Sequence, residues 1–173
     1  MFLESARFLM FNISGDFMIY ADHAATTAIS PTALEAMRPY LETEYGNPST
    51  LYSLARKPRK AVSEAREIIA NAIGAKPKEI FFTACGTEAD NWALSGTACH
   101  YKGGRIITSA IEHHAVLNTC AFLERMGFAV SYLKTDANGL ILTTDMEEAI
   151  TSDTRLVSIM LANNEIGTIE PIR

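Results

Sequence analysis

The sequence predicts an α/β fold of three layers, in which helices flank a mostly parallel β-sheet. From residue 80 onward, short apolar segments of strand type alternate with helical segments, a pattern that is typical of βαβ units. No internal repeat or low-complexity run interrupts this alternation. The 173 residues are enough for one domain with a sizeable hydrophobic core.

Each predicted element has its own signals. Ser30 and Pro31 form a helix start, and the helix continues past Pro39. A second long helix lies within residues 51–73, and Gly74 stands where a C-terminal cap belongs. The remaining predicted strands are 80–84, 105–109, 129–133 and 156–161, and the remaining predicted helices are 87–101, 114–126 and 144–150.

The turn around Gly86 and Thr87 is a candidate anion site. It joins the strand 80–84 to the helix 87–101, with Thr87 as the predicted cap and Gly86 supplying backbone freedom. The start of a helix presents free N–H groups and the positive end of the helix dipole, which favour phosphate. Judged locally, a plain helix cap is the commoner explanation of Thr87, and the turn has neither a GxGxxG pattern nor a P-loop lysine.

Polar side chains also follow two later predicted strands. His113 follows the second of the four strands, and Asn163 and Asn164 follow the fourth. The carboxyl ends of parallel strands meet at one edge of a sheet, so we expect these loops to lie near Thr87. A flat heteroaromatic cofactor with a phosphate tail would fit such a site. The alternatives are a hydrogen-bonded surface or core histidine for His113 and turn chemistry for Asn163, while His114 is interpreted only as a polar residue at a helix start.

Composition limits the remaining possibilities. The chain has 15 basic and 20 acidic residues without a basic run, so neither a nucleic acid nor a membrane is an expected partner. Three cysteines without metal-ligand spacing favour a reducing cytoplasm, with Cys99 and Cys120 as small buried residues.

Asp22 and His23 are neighbours on a predicted extended stretch and point opposite ways, so no metal is assigned. Residues 1–17 are predicted to be an N-terminal extension.

Five runs of residues, in a shared order and spacing, carry a family resemblance. They are YADHAATT at 20–27, GNPS at 46–49, FTACGTEADN at 82–91, ITSAIEHHAV at 107–116 and VSIMLANNEIG at 157–167. On these runs the chain resembles the N-terminal part of a fold-type I pyridoxal-phosphate enzyme of the class V aminotransferase group, and most closely a cysteine desulfurase of the NifS/IscS kind. The resemblance implies that residues 18–173 form the first part of an incomplete large domain.

The resemblance also implies a role for each candidate residue. Gly86 and Thr87 would bind the phosphate of pyridoxal phosphate through backbone N–H groups and the hydroxyl. His113 would stack on the pyridine ring and move protons as a catalytic residue, and Asn164 would hydrogen-bond the ring's phenolic oxygen. Residues 24–27 would line the substrate side of the pocket.

The implied reaction converts L-cysteine to L-alanine and leaves a persulfide for iron–sulfur cluster assembly or thiolation. The resemblance implies a homodimer and a sulfur-acceptor or iron–sulfur scaffold protein as partner. It places the Schiff-base lysine and the persulfide cysteine beyond residue 173, so we expect this chain alone to be inactive. Two alternatives remain open: another class V enzyme, such as a selenocysteine lyase or an aminotransferase, and a non-catalytic dimerising or scaffold-binding module.

Overall fold

The computed structural model describes residues 10–11, 18–20 and 22–172. The chain divides into two units, the first ending at Phe81 and the second beginning at Phe82. The predicted N-terminal extension, residues 1–17, lies outside the described residues except for Met10–Phe11. That short strand, β1, pairs antiparallel with β2 at Met18–Ile19.

The first unit contains two helices. Helix α1 (Pro31–Glu42) starts as predicted, because the Ser30 hydroxyl accepts a hydrogen bond from the Ala33 N–H at 3.2 Å and proline occupies the first turn. Helix α2 (Arg56–Ile73) ends as predicted at Gly74, whose φ of +71° is left-handed. It starts five residues later than predicted, because a 3₁₀ turn at Ser53–Ala55 precedes it.

The second unit is α/β, with a parallel sheet flanked by helices, as predicted. Both strand pairings in this sheet are parallel, and the central strand, β3, lies between β4 and β5. Strands β3 and β4 have the predicted bounds. The elements of the second unit, in chain order, are α3 (Gly86–Tyr101), β3 (Arg105–Ser109), α4 (His114–Arg125), β4 (Ala129–Leu133), α5 (Thr143–Ala149) and β5 (Thr154–Ser158).

The strand predictions at 80–84 and 156–161 need correction. Residues 80–84 form no strand of the described sheet, which has three strands and not four. Their backbone groups are used elsewhere, since the Ile80 carbonyl accepts from the Arg66 guanidinium at 3.1 Å and the Ala84 N–H donates to a side chain of α3. The last strand, β5, begins and ends earlier than predicted, and residues 159–161 belong to the loop that follows it.

The hydrophobic core of the second unit joins α3 and α4 to the sheet. It consists of Leu94, Ala98, Ile106, Val116, Cys120 and Leu123, with Phe128, Val130 and Leu156 packed against it. The core fixes the two helices against each other and so sets the relative positions of the residues on them. Cys120 is buried as predicted, whereas Cys99 is exposed, so that prediction was wrong. Among the helices that the structure describes, none has the length and apolarity needed to cross a membrane.

Candidate functional site

The first turn of α3 differs from the predicted cap. The helix begins at Gly86, Cys85 is the N-cap residue with an extended backbone, and Thr87 lies inside the first turn. The prediction that Thr87 caps the helix was therefore wrong. The Glu88 carboxylate accepts a hydrogen bond from the Ala84 N–H at 2.6 Å, which folds the preceding segment back and starts the helix one residue early.

Gly86 opens the helix without an unusual backbone angle. It has no positive φ, contrary to the conformational freedom that the sequence predicted. A Cβ at this position would meet no heavy atom within 4 Å, so open space lies beside the turn. The first N–H groups of a helix have no acceptor within the helix, and here the Ala89 N–H is bonded to the Cys85 carbonyl at 3.2 Å. The N–H groups of Gly86 and Thr87 therefore suit an anion.

His113 is the N-cap of α4. Its Nδ1 accepts a hydrogen bond from the Ala115 N–H at 3.1 Å. While this bond is present, Nδ1 carries no proton and the proton of the neutral ring is on Nε2. His114 is the first residue of α4, in agreement with its interpretation as a polar residue at a helix start. The capping bond thus fixes both the orientation and the tautomer of the predicted ring-stacking histidine.

Thr87 and His113 line one hollow of about 380 Å³ at the starts of α3 and α4. This volume is within the range of small-molecule sites, roughly 300–1,000 Å³. Asn91, Asn118 and Thr119 also line it, although the sequence did not single them out. The pattern within a helix shows which residues share a face but not what the face meets. In the described part of the chain, no lysine lines the hollow. Its lining residues are Thr87, Asn91, His113, His114, Ala115, Asn118, Thr119 and Phe122.

Glu112 is a buried carboxylate to which the sequence analysis assigned no role. Its side chain links two loops, because Oε1 accepts from the Ser109 hydroxyl at 3.1 Å and from the Met160 N–H at 2.7 Å. Burial raises the pKa of Glu112, the two hydrogen bonds oppose this, and the charges of Asp90 and Glu170 raise the pKa further. Glu112 therefore ties the end of β3, next to His113, to the segment after β5.

Asn163 makes a second link between the same loops. Its Oδ1 accepts from the N–H groups of Glu165 and Ile166 at 2.8 and 3.0 Å, which confirms the predicted turn chemistry. Its Nδ2 donates to the Ile111 carbonyl at 2.8 Å. Asn164 is exposed, donates to Glu165 at 3.2 Å and is not among the residues that line the hollow. The structure therefore brings Thr87 and His113 together, and the role of Asn164 stays a prediction.

The loop at residues 24–27 lies in the first unit. The Tyr20 hydroxyl donates to the carbonyl groups of Asp22 and Thr26 at 2.8 and 2.9 Å. Asp22 and His23 belong to a turn that the Ala25 N–H closes onto the Asp22 carbonyl at 3.2 Å, so the predicted extended stretch was wrong. The substrate-side role of this loop stays a prediction.

Comparison with known proteins gives a family for this fold and site. The model of the family described as aminotransferase class-V matches residues 19–173. The cysteine desulfurase IscS of Clostridium botulinum (strain Kyoto / Type A2) is 53% identical over 157 residues, which are 90% of this chain and 40% of that protein. The enzyme of the same name from Dictyoglomus turgidum is 52% identical, with the same coverage. The chain thus spans about 40% of the length of these curated relatives.

Solved structures agree in fold. A NifS-like protein superposes with a TM-score of 0.84 at 41% identity, covering 87% of this chain and 42% of that one. A structure of SspA in complex with cysteine gives 0.84 at 45% identity, covering 88% and 44%. Class V aminotransferases and cysteine desulfurases are enzymes that depend on pyridoxal phosphate. The open space at Gly86, the first turn of α3 and the imidazole of His113 suit a phosphorylated aromatic ring. The chain belongs to the class V aminotransferase family.

Proposed function

We propose that this chain supplies the phosphate- and ring-binding face of the pyridoxal-phosphate site of a cysteine desulfurase. One observation carries the proposal: Thr87, in the first turn of α3, and His113, the N-cap of α4, line the same hollow. The similarity to cysteine desulfurases supports the choice of reaction within the class V family.

The chain's own groups divide the work of binding. The N–H groups of Gly86 and Thr87 and the Thr87 hydroxyl would hold the phosphate, where the positive end of the α3 dipole favours negative charge. The His113 ring would pack on the pyridine and hold a proton on Nε2, since Nδ1 is used for the capping bond. Asn164 would reach the phenolic oxygen. The bound cofactor would supply the electron sink for chemistry at the substrate's carbon atoms.

The substrate in this proposal is L-cysteine. Its C–S bond breaks, the sulfur passes to a protein thiolate as a persulfide, and a proton completes the methyl group of L-alanine. A sulfur-acceptor or iron–sulfur scaffold protein would then take up the sulfur. A homodimer is the proposed state of the complete enzyme.

Binding of pyridoxine phosphate tests the proposal, because this alcohol has the ring and phosphate of the cofactor but no aldehyde to react with surface lysines. We expect the 173-residue chain to bind it saturably in equilibrium dialysis. His113→Asn keeps a side-chain acceptor for the Ala115 N–H but lacks the ring. Ring stacking is worth about 0.5–1.5 kcal/mol, so this variant should bind about two- to tenfold more weakly.

His100→Asn is the matched control, since this exposed histidine lies in the last turn of α3 and is not among the residues that line the hollow. We expect its affinity to equal that of the wild type. Equal losses in the His113 and His100 variants would contradict the assigned stacking role, and the absence of saturable binding by the folded wild-type chain would contradict the proposed function.

We further propose that these 173 residues do not desulfurate cysteine on their own. The chemistry needs a lysine linked to the cofactor and a nucleophilic thiolate, and no lysine lines the hollow in the described part of the chain. In assays of L-alanine and sulfide with added pyridoxal phosphate, the purified chain should not exceed free pyridoxal phosphate at the same concentration. Turnover above that background would refute this prediction.

A further inference from the structure

We propose that Asn91 is a positioning residue for the phosphate-binding turn, an inference that rests on the proposed function. Its carboxamide joins the backbone of Thr87 on α3 to the side chain of Thr119 on α4. It therefore holds the turn in a fixed place relative to the helix that His113 caps. Asn91 lines the same hollow as Thr87 and His113.

The bridge consists of two hydrogen bonds through one side chain. Asn91 Nδ2 donates to the Thr87 carbonyl at 2.7 Å, and Asn91 Oδ1 accepts from the Thr119 hydroxyl. Thr119 is buried, with 4% of its surface exposed. A side chain of the first turns of α3 is thus anchored on a buried group of α4, 28 residues later in the chain.

The direction of the bridge follows from what each group can do. A backbone carbonyl only accepts hydrogen bonds, so the amide NH₂ of Asn91 must face Thr87 and its oxygen must face Thr119. Thr119 has one hydroxyl proton, which the Asn91 oxygen shares with the Ala115 carbonyl at 2.8 Å. An aspartate at position 91 would lack the donor to Thr87 and would place a negative charge beside a phosphate site.

Loss of the bridge should affect ligand binding more than folding. Without Asn91, the Thr119 hydroxyl still has the Ala115 carbonyl as acceptor, so no buried donor is left unsatisfied. The two helices also remain packed through the core around Leu94 and Cys120. Without the bridge, the turn is no longer held in a fixed position relative to α4. Phosphate binding should weaken, because it depends on the positions of the Thr87 hydroxyl and the N–H groups of the turn.

Asn91→Ala is the first variant of the test, with pyridoxine phosphate, inorganic phosphate and pyridoxine as separate ligands in equilibrium dialysis. One hydrogen bond is worth about 1 kcal/mol, so we expect about three- to tenfold weaker binding of the two phosphate ligands. Binding of pyridoxine, which has no phosphate, should not change. Thr119→Val should reproduce this selective loss, and Thr119→Ser, which keeps the hydroxyl, should restore wild-type affinity.

A double variant with both Asn91→Ala and Thr87→Ala distinguishes a positioning role of Asn91 from a general loss of structure. If Asn91 acts partly by placing the Thr87 hydroxyl, the double variant should lose less affinity for pyridoxine phosphate than the sum of the two single losses. Additive losses, an equal loss for pyridoxine, or unchanged phosphate binding in Asn91→Ala would overturn the inference. A Thr87→Ala variant with wild-type affinity would instead overturn the proposed function, so the two failures are distinguishable.

Discussion

Replacing Glu112 with alanine is expected to lower the free energy of unfolding by about 2–3 kcal/mol, because one buried and one half-buried donor would be left without an acceptor. The Ser109 hydroxyl and the Met160 N–H both donate hydrogen bonds to Glu112 Oε1, and Ser109 is fully buried. Urea denaturation followed by circular dichroism measures the change. Glu147→Ala is the matched control: its side chain is exposed on α5, so a shift below about 0.5 kcal/mol is expected.

Glu112→Gln separates the hydrogen bonds of Glu112 from its charge. Glutamine keeps an oxygen for both donors but does not titrate. Burial raises the pKa of Glu112 above its ordinary value of about 4.5, so at pH values between the two the folded chain holds this proton more than the unfolded chain does. The wild-type free energy of unfolding therefore falls as pH rises from the ordinary to the raised value, and the Gln variant should lack this fall. Parallel pH profiles for wild type and Glu112→Gln would refute the buried-charge explanation.

Replacing Thr87 with alanine should weaken binding of pyridoxine phosphate about ten- to a hundredfold, because a hydrogen bond to a charged group is worth about 1.5–3 kcal/mol. The Thr87 hydroxyl lies in the first turn of α3, at the positive end of the helix dipole and on the wall of the hollow. Equilibrium dialysis measures the loss. Pyridoxine, which lacks the phosphate, should bind both proteins alike.

Thr97→Ala is the control for this prediction. Thr97 lies on the same helix, and its hydroxyl donates to the Ala93 carbonyl at 2.8 Å, ten residues from the turn. This variant should bind pyridoxine phosphate with wild-type affinity. If both threonine variants bound equally tightly, the first turn of α3 would not be the phosphate site.

Local signals predicted those elements whose ends are set by their own residues. Ser30 with Pro31 starts α1, Gly74 ends α2, and β3 has the predicted bounds. The strand prediction for residues 80–84 was wrong because a strand requires a partner strand. An apolar run does not show where its own N–H and carbonyl groups form hydrogen bonds. The prediction that Thr87 caps α3 was wrong for a related reason, because the Glu88 carboxylate accepts a hydrogen bond from the Ala84 N–H and so sets the start of the helix.

The candidate site divides in the same way. Thr87 and His113 lie at the ends of predicted helices and strands, where a polar side chain in the sequence indicates a candidate site residue. Glu112 is buried and contacts Met160, and Asn91 contacts the buried Thr119, residues that lie 48 and 28 positions away. Such contacts come from tertiary packing, so no pattern within one segment predicts them.

The most direct test of the proposed site is alkylation of individual cysteines in the presence of pyridoxine phosphate, read by mass spectrometry. Cys85 is exposed and directly precedes Gly86 and Thr87, whereas Cys99 is exposed near the other end of α3. Cys120 is buried, and burial raises the pKa of its thiol to about 11, so it should stay unreacted. We expect the ligand to slow alkylation of Cys85 at concentrations that match its dialysis affinity and to leave Cys99 unchanged. Unchanged reactivity of Cys85 in a chain saturated with the ligand would contradict a phosphate site at this turn.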